Sequence, residues 1–449
     1  MRERRSPPVT APERSAPRAA GAARVLLAAC AALGLIAAAP PAHFAPASTQ
    51  QLQNGVRLVM QPIADTPLVA VQLFIPAGLA QQASNEAGVA AVAAETVLRT
   101  AENGQSVAAL AAASGASLSY TLDPNDTRYS IECRSQDLPS LLKALVAALN
   151  RPDASQISVA RAKVLGVAAD TVKNPVAAAL AMVRQVNYAD SGFAYPDAGR
   201  PETVAQLTAA QVTRFLSDHF RAGGAVVSIS GYVTGPTLDA VKQIASSLPS
   251  GSPPAPAEGK AVARQHQVVA HRSVDQPWVA IGYQAPTQFS RDFPAMLVVE
   301  ALLGQGGDIH ALSFGSEAAL PEDFVGAYYQ YQAQPGAFIV FLNGAGPGGV
   351  DSSIRELQLA IARLRVQKLP TSLVDHGRRL ALGDYFMSVQ TLADDAWLLG
   401  NAARSPQGLA YVDDLPSAIA RVTSSDIRRV AQRYLTHETL GVVLPASGR

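Results

Sequence analysis

The sequence predicts an α+β protein built from two homologous halves, each a mainly antiparallel sheet covered by helices on one side. A first repeated segment, Pro67–Pro76, aligns with Pro277–Pro286 at an offset of 210 residues. A second, Leu207–Arg214, aligns with Val422–Arg429 at an offset of 215 residues. Two matches at nearly the same offset indicate an internal duplication of the mature chain.

The elements of the first half follow from local patterns. A hairpin is predicted over Gln50–Met60, because Asn54-Gly55 is a favoured two-residue turn. Apolar runs and alternating residues then predict strands around one alanine-rich helix, and helices dominate from Leu138 to Phe220. The predicted bounds are Pro67–Ile75 for a strand, Gly88–Thr100 for the helix, and Ala116–Leu122, Thr127–Arg134 and Ala225–Ser230 for three more strands. The second half repeats this order, with helices dominating from Asp351 to Tyr434.

Composition divides the chain further. Residues 249–263 are rich in Pro, Gly and Ala, as linkers are, and separate one half at 48–248 from another at 264–449. Residues 1–47 have the pattern of a signal peptide, because six arginines precede the apolar run Val25–Ala39. That run is shorter than the roughly 20 residues of a spanning helix. We expect cleavage before Ser48 and export to the periplasm; a lipoprotein attached at Cys30 and an uncleaved anchor are the alternatives.

Charge and cysteine content exclude several classes of protein. The formal net charge is +1, so no basic surplus indicates a nucleic-acid partner. Hydrophobic residues make up 48% and charged residues 16%, which excludes a disordered chain. The two cysteines cannot form a disulfide scaffold or a cysteine-based zinc finger. We interpret Cys133, in a predicted strand, as a small core residue.

Two segments carry a resemblance to a known family. Leu52–Val59 matches a Leu-x-Asn-Gly-x-x-x-Val start, and Ala194–Glu202 is similar to a Pro-Tyr…Gly…Pro-Glu segment that leads into a Thr-capped helix. With the duplication, these residues resemble the pitrilysin/insulinase-type metallopeptidases, which include the mitochondrial processing peptidases and the core subunits of the bc1 complex. The resemblance implies the duplicated α/β sandwich of that family.

The zinc motif of the family is degenerate in this chain. Active members carry His-x-x-Glu-His on the first long helix, and here the two histidine positions are Ala91 and Glu95 while the general-base position is Ala94. The third ligand, a glutamate, would fall near Gly166-Val167, where no glutamate stands. A catalytic zinc needs about three protein ligands. The resemblance therefore implies a non-catalytic member without a cofactor of its own, in which Glu95 is a solvated or hydrogen-bonded helix residue.

The histidines offer no replacement for that site. Six remain after the predicted cleavage, and no two are three or four residues apart on a helix, the spacing that would place both on one face. We therefore expect no metal-binding residues in this chain, and zinc only in a partner subunit.

Members of the family also carry an Arg…Tyr pair, seven residues apart, that grips the substrate backbone. Tyr328 or Tyr329 can stand for the tyrosine, but Pro321 and Glu322 occupy the arginine positions. The alternative is an ordinary strand in which these tyrosines, with Phe324 and Tyr331, pack across the sheet.

Other segments have weaker functional patterns. Gly304–Gly307 and Gly344–Gly349 could be mobile loops lining a chamber or plain turns. Asp384, Asp394 and Asp395, with two neighbouring arginines, have the spacing of a solvated helix face.

Two functions remain. In the first, the chain is a non-catalytic, peptidase-like subunit that pairs with a zinc-bearing homologous subunit, or with itself, and helps to enclose peptide substrates. In the second, it is a structural or assembly subunit with no role in proteolysis. The intact duplication favours the first, and the missing arginine of the Arg…Tyr pair favours the second. Neither function makes the isolated chain an active enzyme.

Overall fold

Thirteen strands form two large sheets and one small hairpin in the computed structural model, which describes residues 46–102, 104–189, 191–255, 261–262, 264–304, 325–330, 332, 335–345 and 348–446. The strands are β1 (Ser48–Gln51), β2 (Arg57–Pro62), β3 (Leu68–Ile75), β4 (Ala101–Glu102), β5 (Gln105–Ser106), β6 (Ser117–Leu122), β7 (Thr127–Arg134), β8 (Val226–Gly231), β9 (His266–Arg272), β10 (Trp278–Gln284), β11 (Val325–Gln330), β12 (Ala337–Asn343) and β13 (Thr439–Pro445).

The two large sheets repeat one topology. The amino-terminal sheet has the order β1-β2-β8-β3-β7-β6, and the carboxy-terminal sheet has the order β9-β13-β10-β12-β11. In each, one pair is parallel (β2 with β8, β9 with β13) and the central long strand lies antiparallel to both of its neighbours. The predicted α+β class and the two homologous halves are thereby confirmed.

Fourteen α-helices accompany these strands in the described part of the chain. They are α1 (Val89–Arg99), α2 (Val107–Ala113), α3 (Leu138–Asn150), α4 (Ile157–Lys173), α5 (Pro175–Asn187), α6 (Pro201–Gln206), α7 (Ala209–His219), α8 (Gly235–Ala245), α9 (Phe293–Leu303), α10 (Val350–Val366), α11 (Thr371–Met387), α12 (Leu392–Ala403), α13 (Ala410–Ala420) and α14 (Ser424–Tyr434).

The repeated segments correspond to equivalent elements. Pro67–Pro76 and Pro277–Pro286 contain the central strands β3 and β10. The other pair begins α7 and α14, and each begins with a capping box, Thr208 with Gln211 and Thr423 with Asp426. Such a box satisfies backbone N–H groups that a helix start leaves unpaired. The duplication is therefore visible in the sequence at the central strands and at the capped starts of α7 and α14.

A helix from each half covers the sheet of the other half. Helix α5 packs on β10 and β13, and α12 packs on β2, β3 and β8. Glycines permit the close approach: a Cβ on Gly282 of β10 would lie 2.1 Å from Val183 Cγ1, and one on Gly400 of α12 would lie 2.2 Å from the Phe74 ring. The prediction placed helices on one side of each sheet. The structure adds one helix on the second face of each sheet, and that helix, here called the exchanged helix, comes from the other half.

The hairpin differs in detail from its prediction. Strands β1 and β2 pair antiparallel around Asn54-Gly55. Because β1 ends at Gln51 and β2 begins at Arg57, the connection is longer than a two-residue turn. Leu52 and Val56 turn inward and are buried in the core, which stops the ladder early. Cys133 is buried and free, as expected for a small core residue.

Several predictions fall wholly or partly outside the described residues. These are the signal peptide with Cys30, the linker residues 256–260 and 263, and the Gly-rich segments beyond Gly304 and at 346–347. The boundaries of the halves at 48–248 and 264–449 stay predictions.

Among the described residues, no single helix is long and apolar enough to cross a membrane. One bent pair of helices, Ala154–Lys173 with Pro175–Asn187 at 94°, is long and apolar enough when the two are taken together.

Candidate functional site

The degenerate metal position lies on α1, whose residues are almost all buried. Gly88, in the left-handed region at φ 101°, begins the helix, and the alanines that follow let it pack closely against α4 and α7. Ala91 and Ala94 are buried methyl groups, and the Tyr129 hydroxyl donates a hydrogen bond of 3.4 Å to the Ala94 carbonyl. These two positions therefore contribute packing and no metal ligand.

Glu95 is buried and fully engaged. It is 2% exposed, Arg99 Nε donates to its Oε1 at 2.8 Å, and Lys163 Nζ donates to its Oε2 at 2.9 Å. Arg99 is one turn further along α1, and Lys163 reaches across from α4. The interpretation of Glu95 as hydrogen-bonded thus agrees with the geometry, although the residue is not solvated.

The residues present do not fit a catalytic zinc. Alanine side chains have no lone pair, and both oxygens of Glu95 already accept hydrogen bonds from cations. Lys163 places a positive charge beside the only remaining ligand-type group, which opposes a divalent ion. Within the described ranges there is no group of three or more His, Cys, Asp or Glu that could hold a metal.

A cavity of about 390 Å³ lies between the two halves. The amino-terminal half contributes the end of β6 and the turn at 123–126, and the carboxy-terminal half contributes Gln288, Tyr328, Trp397 and Arg404. Burial, and next the nearby Glu95 carboxylate, raise the pKa of Tyr120, which is also on β6. The same edge strand therefore runs from the degenerate metal position to the cavity.

Ion pairs line this cavity. Arg404, on the carboxy-terminal half, pairs with Asp126, which is 1% exposed, and the Arg404 guanidinium lies 4.7 Å from the Phe74 ring centroid. Arg184 Nη1 lies 3.4 Å from Asp197 Oδ1. These pairs give the wall alternating charges, and the Arg404–Asp126 pair ties the two halves together.

Asp123 is a carboxyl group of this wall with a raised pKa. Burial, followed by repulsion from Asp126, raises its pKa to about 6, although Arg128 Nε lies 3.3 Å from Asp123 Oδ2 and opposes the shift. The carboxyl group therefore takes up a proton at a higher pH than an exposed aspartate does.

The structure separates the two predicted substrate-binding tyrosines. Tyr329 is buried, packs against Phe293 and Phe338, and donates its hydroxyl to the Pro286 carbonyl at 2.5 Å. Tyr328 is 48% exposed and lines the cavity between the halves. Of the two, only Tyr328 has a side chain accessible to a ligand.

Lys163, Arg184 and Arg404 are residues that the sequence did not single out. Arg404 meets Asp126 across 278 residues of chain, and Lys163 meets Glu95 across 68. The turn at 123–126 lies between two predicted strands and carries no functional pattern of its own. No local pattern marks these pairs; only the packing of the exchanged helix α12 and of α4 brings them together.

Comparison with protein families matches both halves of the chain. The model described as insulinase (peptidase family M16) matches residues 57–192, and the model described as peptidase M16 inactive domain matches residues 206–378. No curated protein matches the sequence. Together the two models span most of the described chain.

Several solved structures share the fold. A protease from Helicobacter pylori aligns with a TM-score of 0.79 at 18% identity, covering 89% of this chain and 100% of that one. A peptidase M16 inactive domain from Pseudomonas fluorescens aligns with a TM-score of 0.76 at 18% identity, covering 90% and 100%. Complex III from Candida albicans contains a chain that aligns with a TM-score of 0.72 at 13% identity, covering 88% and 95%.

Proposed function

This chain belongs to the insulinase (peptidase M16) family, and we propose that it is a non-catalytic, zinc-free subunit that pairs with a zinc-bearing homologue and helps to enclose peptide substrates. The observation that carries the proposal is at Glu95: the fold is intact, but a protein ammonium occupies the place beside the remaining ligand-type group. Such a site cannot activate water, so turnover must come from another subunit.

Exposed valines on α4 support the pairing. Val159, Val167 and Val172 of α4 are 47%, 51% and 38% exposed. Val159 and Val167 are four residues before and after Lys163, so these two valines lie on the helix face that carries Lys163, whereas Val172 lies on a different face. Exposed apolar side chains beside a single charge, next to a family's catalytic position, form the kind of mixed surface that a second subunit covers. We therefore assign the zinc-bearing homologue to this face.

The test combines assembly and turnover. The protein is mixed with its zinc-bearing homologue, and complex formation, bound zinc and peptide hydrolysis are measured against each component alone. We expect zinc only in the homologue and faster hydrolysis by the mixture. Val167→Asp should abolish complex formation, whereas Val366→Asp, which changes an even more exposed valine on α10, should not. Zinc and turnover in the isolated chain would refute the proposal.

The structural or assembly role is the second candidate. The sequence favours it at one point, because no arginine precedes the tyrosines by seven residues. It predicts a stable complex whose rate of peptide hydrolysis equals that of the homologue alone.

We also propose that the chain acts after export, on the basis of the amino-terminal signal pattern; fractionation of periplasm and membranes tests this.

A further inference from the structure

A second cavity, of about 330 Å³, lies among the helices of the carboxy-terminal half. Helices α9, α11, α12 and α13 form its walls. Four aromatic residues and two carboxylates line it: Phe293, Tyr385, Trp397, Tyr411, Glu300 and Asp384. Its volume corresponds to roughly ten water molecules, enough for a small organic ligand.

The cavity has two carboxyl groups and, among the described residues, no Lys or Arg. Neither carboxyl group forms an ion pair with another described residue. Glu300 Oε1 accepts a hydrogen bond of 2.9 Å from the Tyr329 backbone N–H. Asp384 lies exposed at the rim, so the predicted solvated face borders a cavity at this residue. The sequence at 305–324, directly after α9, contains no Lys or Arg.

The internal duplication supplies a comparison. Helix α9 in the second half corresponds to α1 in the first, since each follows the central strand of its sheet. Both helices carry a glutamate about two turns from their start, and each glutamate lies near a tyrosine of the edge strand, Glu95 near Tyr120 and Glu300 near Tyr329. Glu95 is neutralised by Lys163 and Arg99, whereas Glu300 has open space.

We propose that this cavity binds a small organic cation, a primary ammonium or guanidinium group on an apolar stem, with the charge against Glu300 and Asp384 and the stem among the aromatic rings. A carboxylate withdrawn from water is costly unless a cation accompanies it. Here the ligand supplies the cation that Lys163 supplies to Glu95 in the other half. The aromatic walls add cation–π attraction and apolar contact area.

The hydroxyl groups of the aromatic walls restrict the polar contacts of the ligand. Tyr385 donates its hydroxyl to the Val412 carbonyl at 2.9 Å, and Tyr411 donates its hydroxyl to the Gln288 carbonyl at 3.3 Å. Both donors are thus engaged by backbone. The ionic groups left for a ligand are the two carboxylates, which select a cation over a neutral molecule or an anion.

Calorimetric titration of the full chain at pH 8 tests the charge requirement. The probes are hexylammonium, hexanol and hexanoate, which share one stem and differ in charge. We expect saturable binding of hexylammonium and at least tenfold weaker binding of the other two. Glu300→Gln, which can still accept the Tyr329 hydrogen bond, should weaken hexylammonium about tenfold or more. Asp384→Asn should weaken it less, and Asp351→Asn, an exposed acid of α10, should leave it unchanged.

Fluorescence locates the ligand independently of affinity. The chain has two tryptophans, so Trp278→Phe leaves Trp397 as the single indole; it lines both this cavity and the one between the halves, and Glu300→Gln distinguishes the two because Glu300 lines only this one. Hexylammonium should change the emission of that variant and raise its melting temperature, but do neither after Glu300→Gln. A second titration, with acetyl-Ala-Lys-Ala-amide, shows whether the cavity binds a lysine side chain of a peptide as well as a free amine. Equal binding of hexylammonium and hexanol, no binding of either cation, or unchanged affinity in Glu300→Gln would overturn the proposal.

Discussion

Lys163 Nζ lies 2.9 Å from Glu95 Oε2, so α4 supplies a positive charge beside the helix position where active relatives have a metal-binding histidine. The two residues are 68 positions apart and come from different helices. The pair converts a remnant of a metal motif into a contact that holds α1 against α4.

We expect Lys163→Met to lower the free energy of unfolding by about 1 kcal/mol, because the buried Glu95 keeps only Arg99 as a cation; the value is small since Lys163 is half-exposed. Urea unfolding measures it. Lys173→Met on the same helix removes a pair in which both side chains are exposed, so it should change stability by less than about 0.5 kcal/mol. Equal effects of the two substitutions would contradict this interpretation.

Arg404→Met should be more damaging. It leaves Asp126, almost fully buried, without its cation at the junction of the halves, and we expect a loss of about 3 kcal/mol. Arg134→Met, which removes the exposed pair with Asp137, is the control and should cost less than about 0.5 kcal/mol. A loss no larger than that of the control would show that the pair does not stabilise the junction.

Glu300 gives stability a pH dependence. Burial raises its pKa to about 7 from 4.5, so the native state holds a proton that the unfolded state releases between these values. Stability from this group is present at pH 4 and is lost as pH rises through 7. Glu300→Gln should therefore match the wild type at pH 4 and exceed it by on the order of 2 kcal/mol at pH 8. Urea unfolding at both pH values measures the difference, with exposed Glu132→Gln as control; a constant difference would refute it.

Gly282→Ala tests the contact between α5 and β10. The new methyl group would collide with Val183 Cγ1, so we expect a loss of about 2 kcal/mol. Gly166→Ala in α4 meets no atom within 4 Å and should stabilise the protein by about 0.5–1 kcal/mol. Thermal unfolding of both variants makes the comparison. Two changes of the same sign would indicate that close approach at Gly282 is not limiting.

Tyr328→Ala tests the proposed enclosure of peptides. In the mixture with the zinc-bearing homologue, the substitution should raise KM about fivefold or more, because it removes an exposed aromatic contact from the cavity wall. Complex formation should not change. Tyr232→Ala, which removes a similarly exposed tyrosine elsewhere, should leave KM unaltered. An unaltered KM in Tyr328→Ala would favour the structural role.

The sequence predicts the fold far better than the site. Strand β3 and helix α1 were predicted to within a residue or so, because long apolar runs bounded by Pro or Gly are local signals. The degenerate zinc motif is also local. The pairs of Lys163 and Arg404, and the cavity beside Glu300, depend on helices that meet only in three dimensions. Asp384 illustrates this limit. Its distance in sequence from the neighbouring charged residues is typical of a solvated helix face, but α9 packs beside α11 and thereby places Asp384 at the rim of a cavity.

The exchange of α5 and α12 has a historical consequence. A half-length ancestor with this arrangement would leave one face of its sheet bare, and it could cover that face only with the helix of a second copy. Fusion of two such copies into one chain would keep the contact and make its partner permanent. The reciprocal packing around Gly282 and Gly400 therefore makes each half depend on the other, since neither half alone covers both faces of its sheet.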